Sequence, residues 1–574
     1  MTANSPKVIR DGGLLVEKDV PIPLMDGHVL YCNVFRPDRD GVFPPIVVFT
    51  PYGKDSDVAV DFKRYWDFVL RDHPEVVQGD SDGRYLTWEV PDPQRWVPAD
   101  YAIVVIDARG TGKSPGFYEM MSPLQTRDYY DAIEWAGVQS WSNGKVGLLG
   151  VSYLAIKQWQ VAALQPPHLA AMIPWEGMFD HYRDLYRHGG IYSSFFLKLL
   201  WDTQLAINQN GNADSPYRDR FTGEVSTGAV LNPQLLAGNL ANVYEAGLHH
   251  PLDDAYFKLR TPVAQRIEVP FLSAGNWGGL GLHLRGNIEG FETAASRQKW
   301  LEMHTDTHFA SMYLAPAIAL QKRFFDHFLK GEANGWDKEP PLILTIRDPR
   351  GFFRRSENEW PLARTQWTRY YLDANDSALS PNIPAATARL AYDAIGEGLT
   401  LRTAPFAKDT EFTGPVAAKL FVSTSTTDMD LFVTLRLFAP DQSEVTFVGA
   451  NDPRAPVSQG WLRLSHRKTD PARSRPYKPV HPHDELQPVS PNEVYQADIE
   501  IWPTSIVVPA GHRLALTIGG KDFARPDAQG LMKGSGIFLH DDPADRPSDV
   551  FGGVCTIHTG GDHASYLLMP VVPG

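Results

Sequence analysis

The 574-residue chain is too long for one hydrophobic core, so two or three domains are expected. Its 43% hydrophobic and 11% aromatic content, with 15 Trp, is that of an ordinary globular protein and excludes a disordered one. A net charge of −14 without a basic run excludes the electrostatic footprint of a nucleic-acid or anionic-membrane binder.

Two cysteines, Cys32 and Cys555, lie far apart in unlike contexts, so spacing supports neither a disulfide framework nor a cysteine zinc site, and both are expected as buried thiols. The start Met1-Thr2-Ala3-Asn4-Ser5-Pro6-Lys7 has no apolar leader core. No run of 18 apolar residues occurs anywhere, which makes the cytoplasm the default location.

Taken in order, the chain opens with alternating segments Leu14 to Pro23 and Val29 to Phe35 around the turn Asp26-Gly27, which predicts a hairpin. Pro45 to Thr50 and Tyr101 to Asp107 are continuous apolar runs, as strands buried on both faces require, and a Trp- and Asp-rich insertion separates them. A helical pattern from Leu124 to Gly137 follows, then the run Lys145 to Val151 ending at Ser152 and a second helix. Leu169 to Pro174 is the next strand. This alternation is the grammar of a mostly parallel sheet with crossover helices.

From Glu176 to about Arg266 the pattern is helical, aromatic and broken by Asn/Gly/Asp loops, and is read as a cap over the sheet. Strands resume at Val269 to Gly275 and Lys299 to His304, with helix Arg285 to Ala295 between them and helix Ala315 to Leu329 closing at Lys330-Gly331. Beyond Pro340 short alternating strands (Val416 to Val422, Leu431 to Leu437, Tyr495 to Ile501, Arg513 to Ile518) separated by Pro/Gly/Asp turns predict a β-sandwich. The polar, Pro-rich stretch Ser465 to Pro491 reads as a surface excursion.

The chemistry centres on Gly150-Val151-Ser152-Tyr153. A serine between a buried strand and a helix has an exposed hydroxyl, and the following N–H groups point at any oxyanion formed beside it. The competing reading of Ser152 is a helix cap.

These residues, with Asp107-Ala108-Arg109-Gly110-Thr111-Gly112-Lys113-Ser114-Pro115-Gly116 before them, resemble the cocaine esterase and X-Pro dipeptidyl-peptidase-like family of α/β-hydrolases. Thr50-Pro51-Tyr52-Gly53-Lys54 is similar to the family's tyrosine loop, and Phe412-Thr413-Gly414-Pro415 and Val507-Val508-Pro509-Ala510-Gly511-His512-Arg513 to its C-terminal jelly-roll. The resemblance implies an α/β-hydrolase core at 1–175 and 267–335, interrupted by the helical cap at 176–266, and a jelly-roll at 336–574. It assigns the oxyanion hole to the Tyr52 phenol and the Tyr153 backbone N–H, donors that act on charge developing only in the transition state.

The base is expected in the loop after the last sheet strand, where His304-Thr305-Asp306-Thr307-His308 offers two histidines. His308 stands where the family places its own. A metal reading of His304 and His308 needs a helix to bring them to one face, and this segment leaves a strand, so no metal is expected.

The chain departs from the family at the acid. In Ala274-Gly275-Asn276-Trp277-Gly278-Gly279 the position of the family's aspartate is Gly278. Glu176, at the end of the preceding sheet strand, keeps the order Ser, Glu, His and is the expected replacement; Asp306 and Glu289 are the alternatives. The glycine-rich string Gly278 to Gly286 reads as a turn close to the site rather than a nucleotide loop. His481-Pro482-His483-Asp484 reads as surface loop, with a metal site as the lesser alternative.

The expectation is therefore a serine hydrolase cleaving an ester bond, without cofactor, on a small-molecule ester or amide, with no nucleic-acid or membrane partner and homo-oligomerisation left open. Aminopeptidase or amide acylase activity, with Asp184, Asp253 and Asp254 capturing an amine, is one alternative. A non-catalytic binding protein with a decayed triad is the other.

Overall fold

A computed structural model describes residues 7–525 and 536–573. The amino-terminal stretch read above for a leader therefore lies, save Lys7, outside the described residues. The hairpin is formed by β2 (Leu14–Pro23) and β3 (Val29–Pro37), and a further strand not apparent in the sequence, β1 (Lys7–Asp11), pairs with β2. The apolar runs become β4 (Pro45–Thr50), β5 (Ala102–Asp107), β6 (Val146–Val151) and β7 (Leu169–Trp175). Every residue of β4, β5 and β6 is buried, which is why they carry Val and Ile without alternation.

Within the cap, a short hairpin pairs β8 (Arg187–His188) with β9 (Ile191–Tyr192), and short helices, among them Ser194–Leu200, Pro233–Gly238 and Val243–His249, are joined by loops, the longest covering 209–232. The sheet then resumes with β10 (Phe271–Asn276) and β11 (Lys299–His304). Neighbouring strands run β3, β5, β4, β6, β7, β10, β11, and all contacts from β5 to β11 are parallel. This order puts the carboxyl ends of β6, β7, β10 and β11 side by side, so the loops after them converge on one edge.

Two more strands, β12 (Leu342–Asp348) and β13 (Gly351–Glu357), extend the same sheet, β12 parallel to β11. The carboxy-terminal segment thus begins as part of the hydrolase sheet. It then builds an antiparallel β-sandwich on long strands such as Thr410–Thr424 and Tyr495–Val508, whose inward residues form a separate core including Phe412, Leu420, Ile499 and Leu516. Arg347 of β12, fully buried, bridges the two by donating to the Ser505 carbonyl and Thr504 Oγ1. Cys32 and Cys555 are free and buried.

The segment Ser465 to Pro491 is only in part a surface excursion: 471–473, 475–476 and 484–486 are exposed, but other parts are packed in. His466, His481 and His483 are buried, and Arg183 of the cap donates to the His481 and Pro482 carbonyls. Burial of these histidines is a feature that local sequence does not separate from solvation. No cluster of metal-ligating side chains occurs among the described residues.

Candidate active site

Ser152 follows β6 with φ 57° and ψ −119°, a strained conformation for a residue with a side chain, and the helix Tyr153–Ala162 begins directly after it. Close packing makes the turn possible: a Cβ on Gly150 would lie 2.6 Å from Leu154 Cβ, and one on Gly177 would lie 2.6 Å from Ala155 Cβ. The Ser152 N–H points at the carbonyls of Trp175 and Glu176, each at 3.2 Å, which ties the elbow to the turn after β7.

That turn carries Glu176. With φ 48° and its N–H bonded to the Ala274 carbonyl at 2.7 Å, the residue swings back under the site and is fully buried. Its Oε2 accepts from His308 Nδ1 at 2.8 Å. Its Oε1 accepts from Ser311 Oγ at 2.8 Å and His304 Nε2 at 3.0 Å, with Asn276 Nδ2 at 3.4 Å. Burial alone would raise this carboxyl, but the two histidines outweigh it and hold it well below the usual range. Burial would likewise lower His308, yet Glu176 first and Glu89 second push it up to about 10. His304 is pushed up to about 9 by Glu302, whose Oε2 is 2.7 Å from its Nδ1, and by Glu176.

The other two candidate acids are engaged elsewhere. Asp306 meets His73 Nε2 at 3.2 Å, and Glu289 accepts from Lys478 Nζ at 2.6 Å. Gly278 has no room for any side chain: an added Cβ would lie 2.5 Å from Gly449 Cα and 2.7 Å from the Val448 carbonyl oxygen. A loop of the β-sandwich fills that space. The Ala450 N–H donates to the Gly278 carbonyl and the Ala450 carbonyl accepts from the His308 N–H, both at 3.0 Å.

Tyr52 lies in the loop after β4, where the Lys54 N–H bonds Asp107 Oδ1 at 2.7 Å and Asn208 of the cap donates to the Pro51 carbonyl at 2.6 Å. Its ring is buried and borders the same cleft as Ser152 and His308. The Tyr153 N–H is the first of its helix and so has no partner within it. The Tyr153 phenol is used structurally, donating to Gln125 Oε1 at 2.7 Å.

Two residues at the site are not legible in the sequence. His283, inside the glycine-rich string, places Nε2 3.2 Å from Ser152 Oγ. Because its Nδ1 accepts the Met178 N–H, the proton sits on Nε2, and this ring donates to the serine. Burial, then the charge of His308, holds it well below the ordinary histidine value, hence neutral. It stacks on His308 with centroids 5.2 Å apart. Glu89, from the Trp-rich insertion, sits with Oε1 3.4 Å from His308 Nε2. A lone histidine among glycines was the only available signal for the first, and the insertion offered none for the second.

The cleft is closed by the cap (Phe196, Leu199, Leu200, Gln204) and edged by Asn451 of the β-sandwich. The acidic residues considered for amine capture do not line it. Asp184 pairs with Arg285, Asp253 with Arg183, and Asp254 with His250.

A parallel sheet with a strained serine at a strand-to-helix turn, and a histidine–carboxylate pair from the next loops at the same edge, defines an α/β-hydrolase. Residues 26–310 match the family model for X-Pro dipeptidyl-peptidase (S15 family), and 334–568 match the model for the X-Pro dipeptidyl-peptidase C-terminal non-catalytic domain. The chain is 25% identical to the cocaine esterase of a Rhodococcus species, over 98% of this chain and 99% of the relative. The crystal structure of a CocE/NonD family hydrolase from Staphylococcus aureus superposes with a TM-score of 0.83 at 33% identity, covering 97% of this chain and 94% of that one. An aminopeptidase from a marine sediment archaeon shares the fold at 16% identity, with a TM-score of 0.73, over 100% of this chain and 99% of that one. The protein belongs to the cocaine esterase and X-Pro dipeptidyl-peptidase-like family and is a serine hydrolase acting on ester or peptide bonds. No helix among the described residues is long and apolar enough to cross a membrane.

Proposed function

We propose that this protein hydrolyses carboxylic esters through an acyl-enzyme, with Ser152 as nucleophile, His308 as base and Glu176 as the acid. The observation that carries this reading is the 2.8 Å bond from His308 Nδ1 to Glu176 Oε2, in a cleft that also holds Ser152. In this mechanism His283 steadies Ser152 Oγ at rest. On attack His308, in its neutral form, takes the serine proton at Nε2 and returns it to the leaving alkoxide, while Glu176 fixes the imidazole and stabilises its charged state. The Tyr52 hydroxyl and the Tyr153 N–H receive the oxyanion. Water then resolves the acyl-enzyme by the same route in reverse.

Ester substrates are the first choice here; Asp184, Asp253 and Asp254, the acids considered for amine capture, pair with Arg285 of the core and with Arg183 and His250 of the cap and do not line the cleft. A fluorophosphonate probe labels the wild type and not Ser152→Ala. Glu176→Gln lowers kcat on p-nitrophenyl butyrate about 10⁴-fold, as loss of the orienting carboxylate does in serine proteases. Absence of labelling in the wild type refutes the hydrolase mechanism; near wild-type turnover by Glu176→Gln refutes the acid.

A further inference from the structure

Glu302 is a carboxylate inside a buried strand, and the triad by itself does not call for it. It is 2% exposed in β11, between Leu301 and Met303 of the sheet core. A buried charge is costly unless it is paired. Here both oxygens are engaged: Oε1 accepts from Arg354 Nη2 at 2.6 Å, and Oε2 faces His304 Nδ1 at 2.7 Å. The period of two along a strand puts Glu302 and His304 on one face of β11, and β13, two strands away, brings Arg354 to the same place.

The other nitrogen of His304 is on the acid. Nε2 lies 3.0 Å from Glu176 Oε1, and the ring stacks on Trp175 with centroids 5.0 Å apart. An ionised carboxylate only accepts, so an imidazole bonded to one carboxylate at each nitrogen carries a proton on both and is a cation. Glu302 first and Glu176 second sustain that charge against burial up to about pH 9. Asp306 borders the same cavity of about 240 Å³ beside His304, but its carboxylate meets His73.

Arg354, Glu302, His304, Glu176 and His308 thus form a chain of alternating charge from the half-exposed arginine to the base. The chain matters at the step where His308 must be neutral. Glu176 is fully buried, and with His308 as its only cation it would have to keep that histidine protonated or take up a proton itself. With His304 on its other oxygen, the first four members balance as two cations and two anions whether or not His308 is charged. The positive ring at 304 also repels the proton on His308, which Glu89 and His283 face from the cleft side.

Building on the Ser152–His308–Glu176 mechanism, we infer that His304, backed by Glu302 and Arg354, is a positioning residue for the reaction: it holds Glu176 in place and ionised while His308 gives up and regains a proton.

The test is the pH profile of kcat/KM for p-nitrophenyl butyrate from pH 6 to 10.5 in the wild type, His304→Gln and Glu302→Gln. Gln at 304 retains an N–H donor for Glu176 and removes the charge. His304→Gln is expected to lose about tenfold in kcat/KM below pH 8, a displacement of the acid limb by about one unit to higher pH, with KM within about twofold of wild type. The deficit shrinks to within about threefold at pH 10.5, where the wild-type His304 has shed its own charge. Glu302→Gln moves the limb in the same direction, because His304 loses the partner that keeps it charged. An anion acting on His308 directly would, on deletion, move the limb the other way.

A deficit in His304→Gln that is equal at every pH, no deficit at all, or a limb displaced to lower pH in Glu302→Gln overturns the inference. Should either buried variant not fold, Arg354→Gln at the exposed end of the chain takes its place: kcat/KM at pH 7 falls at least twofold and recovers at high pH, and a profile that coincides with wild type refutes the inference. These failures leave the triad standing. Absence of fluorophosphonate labelling in the wild type, or near wild-type turnover by Glu176→Gln, removes the mechanism and this inference together.

Discussion

Replacing Gly278 by alanine tests whether the β-sandwich loop is what keeps a side chain out of this position. The added methyl group would meet Gly449 Cα at 2.5 Å, the Val448 oxygen at 2.7 Å and the Ala450 nitrogen at 2.9 Å, all backbone atoms that cannot rotate away. To restore an ordinary contact the loop must retreat by about 0.9 Å. Overpacking of this kind costs about 1–3 kcal/mol. The retreat also pulls on the His308 loop, because the Ala450 carbonyl accepts the His308 N–H. A displacement near 1 Å at the base lowers turnover by about 100-fold. Gly278→Ala is therefore expected to unfold at lower temperature by calorimetry and to lose about two orders of magnitude in kcat on p-nitrophenyl butyrate. Gly278→Asp is expected to be worse in both, and not to rescue Glu176→Gln. A Gly278→Ala protein with wild-type melting and turnover would refute the reasoning, since the 448–450 loop would then not occupy that space.

His283→Phe keeps the ring but removes the Nε2 donor to Ser152; fluorophosphonate labelling is expected to slow about tenfold while the KM for a neutral ester changes little, and unchanged labelling would show that the bond is idle. With His308 as the proposed base, working only when neutral, the acid limb of kcat/KM for a neutral ester is expected to report its protonation. Glu176 and Glu89 both favour its charged form and neutral His283 does not offset them, so activity climbs toward about pH 10 in the wild type and the limb moves to lower pH in Glu89→Gln. A limb that stays in place would separate Glu89 from the base.

For stability the signs differ. The raised His308 contributes fully below its unfolded value and fades as pH rises toward about 10, whereas the depressed Glu176 contributes above its unfolded value and is lost as pH falls below it.

Much of this protein was determined by sequence alone, because the signals are local. The continuous apolar runs at 45–50 and 102–107 demand burial on both faces, and the strand, turn and helix around Ser152 need only neighbouring residues to be recognised. Glu176 could be named because it follows a strand whose neighbour carries the serine. Tertiary structure alone decided the rest, since the causes are far apart in the chain. Gly278 is emptied of a side chain by backbone from residues 448–450, the histidines at 466 and 483 pack against Gly190 and Tyr182 of the cap, some 300 residues away, and Glu89 reaches His308 across 219 positions. Periodicity and turn chemistry report what a residue's neighbours along the chain require of it. They are silent on which distant backbone fills a space or which buried carboxylate faces a histidine, and in this protein those contacts leave Gly278 without a side chain and set the character of the cleft.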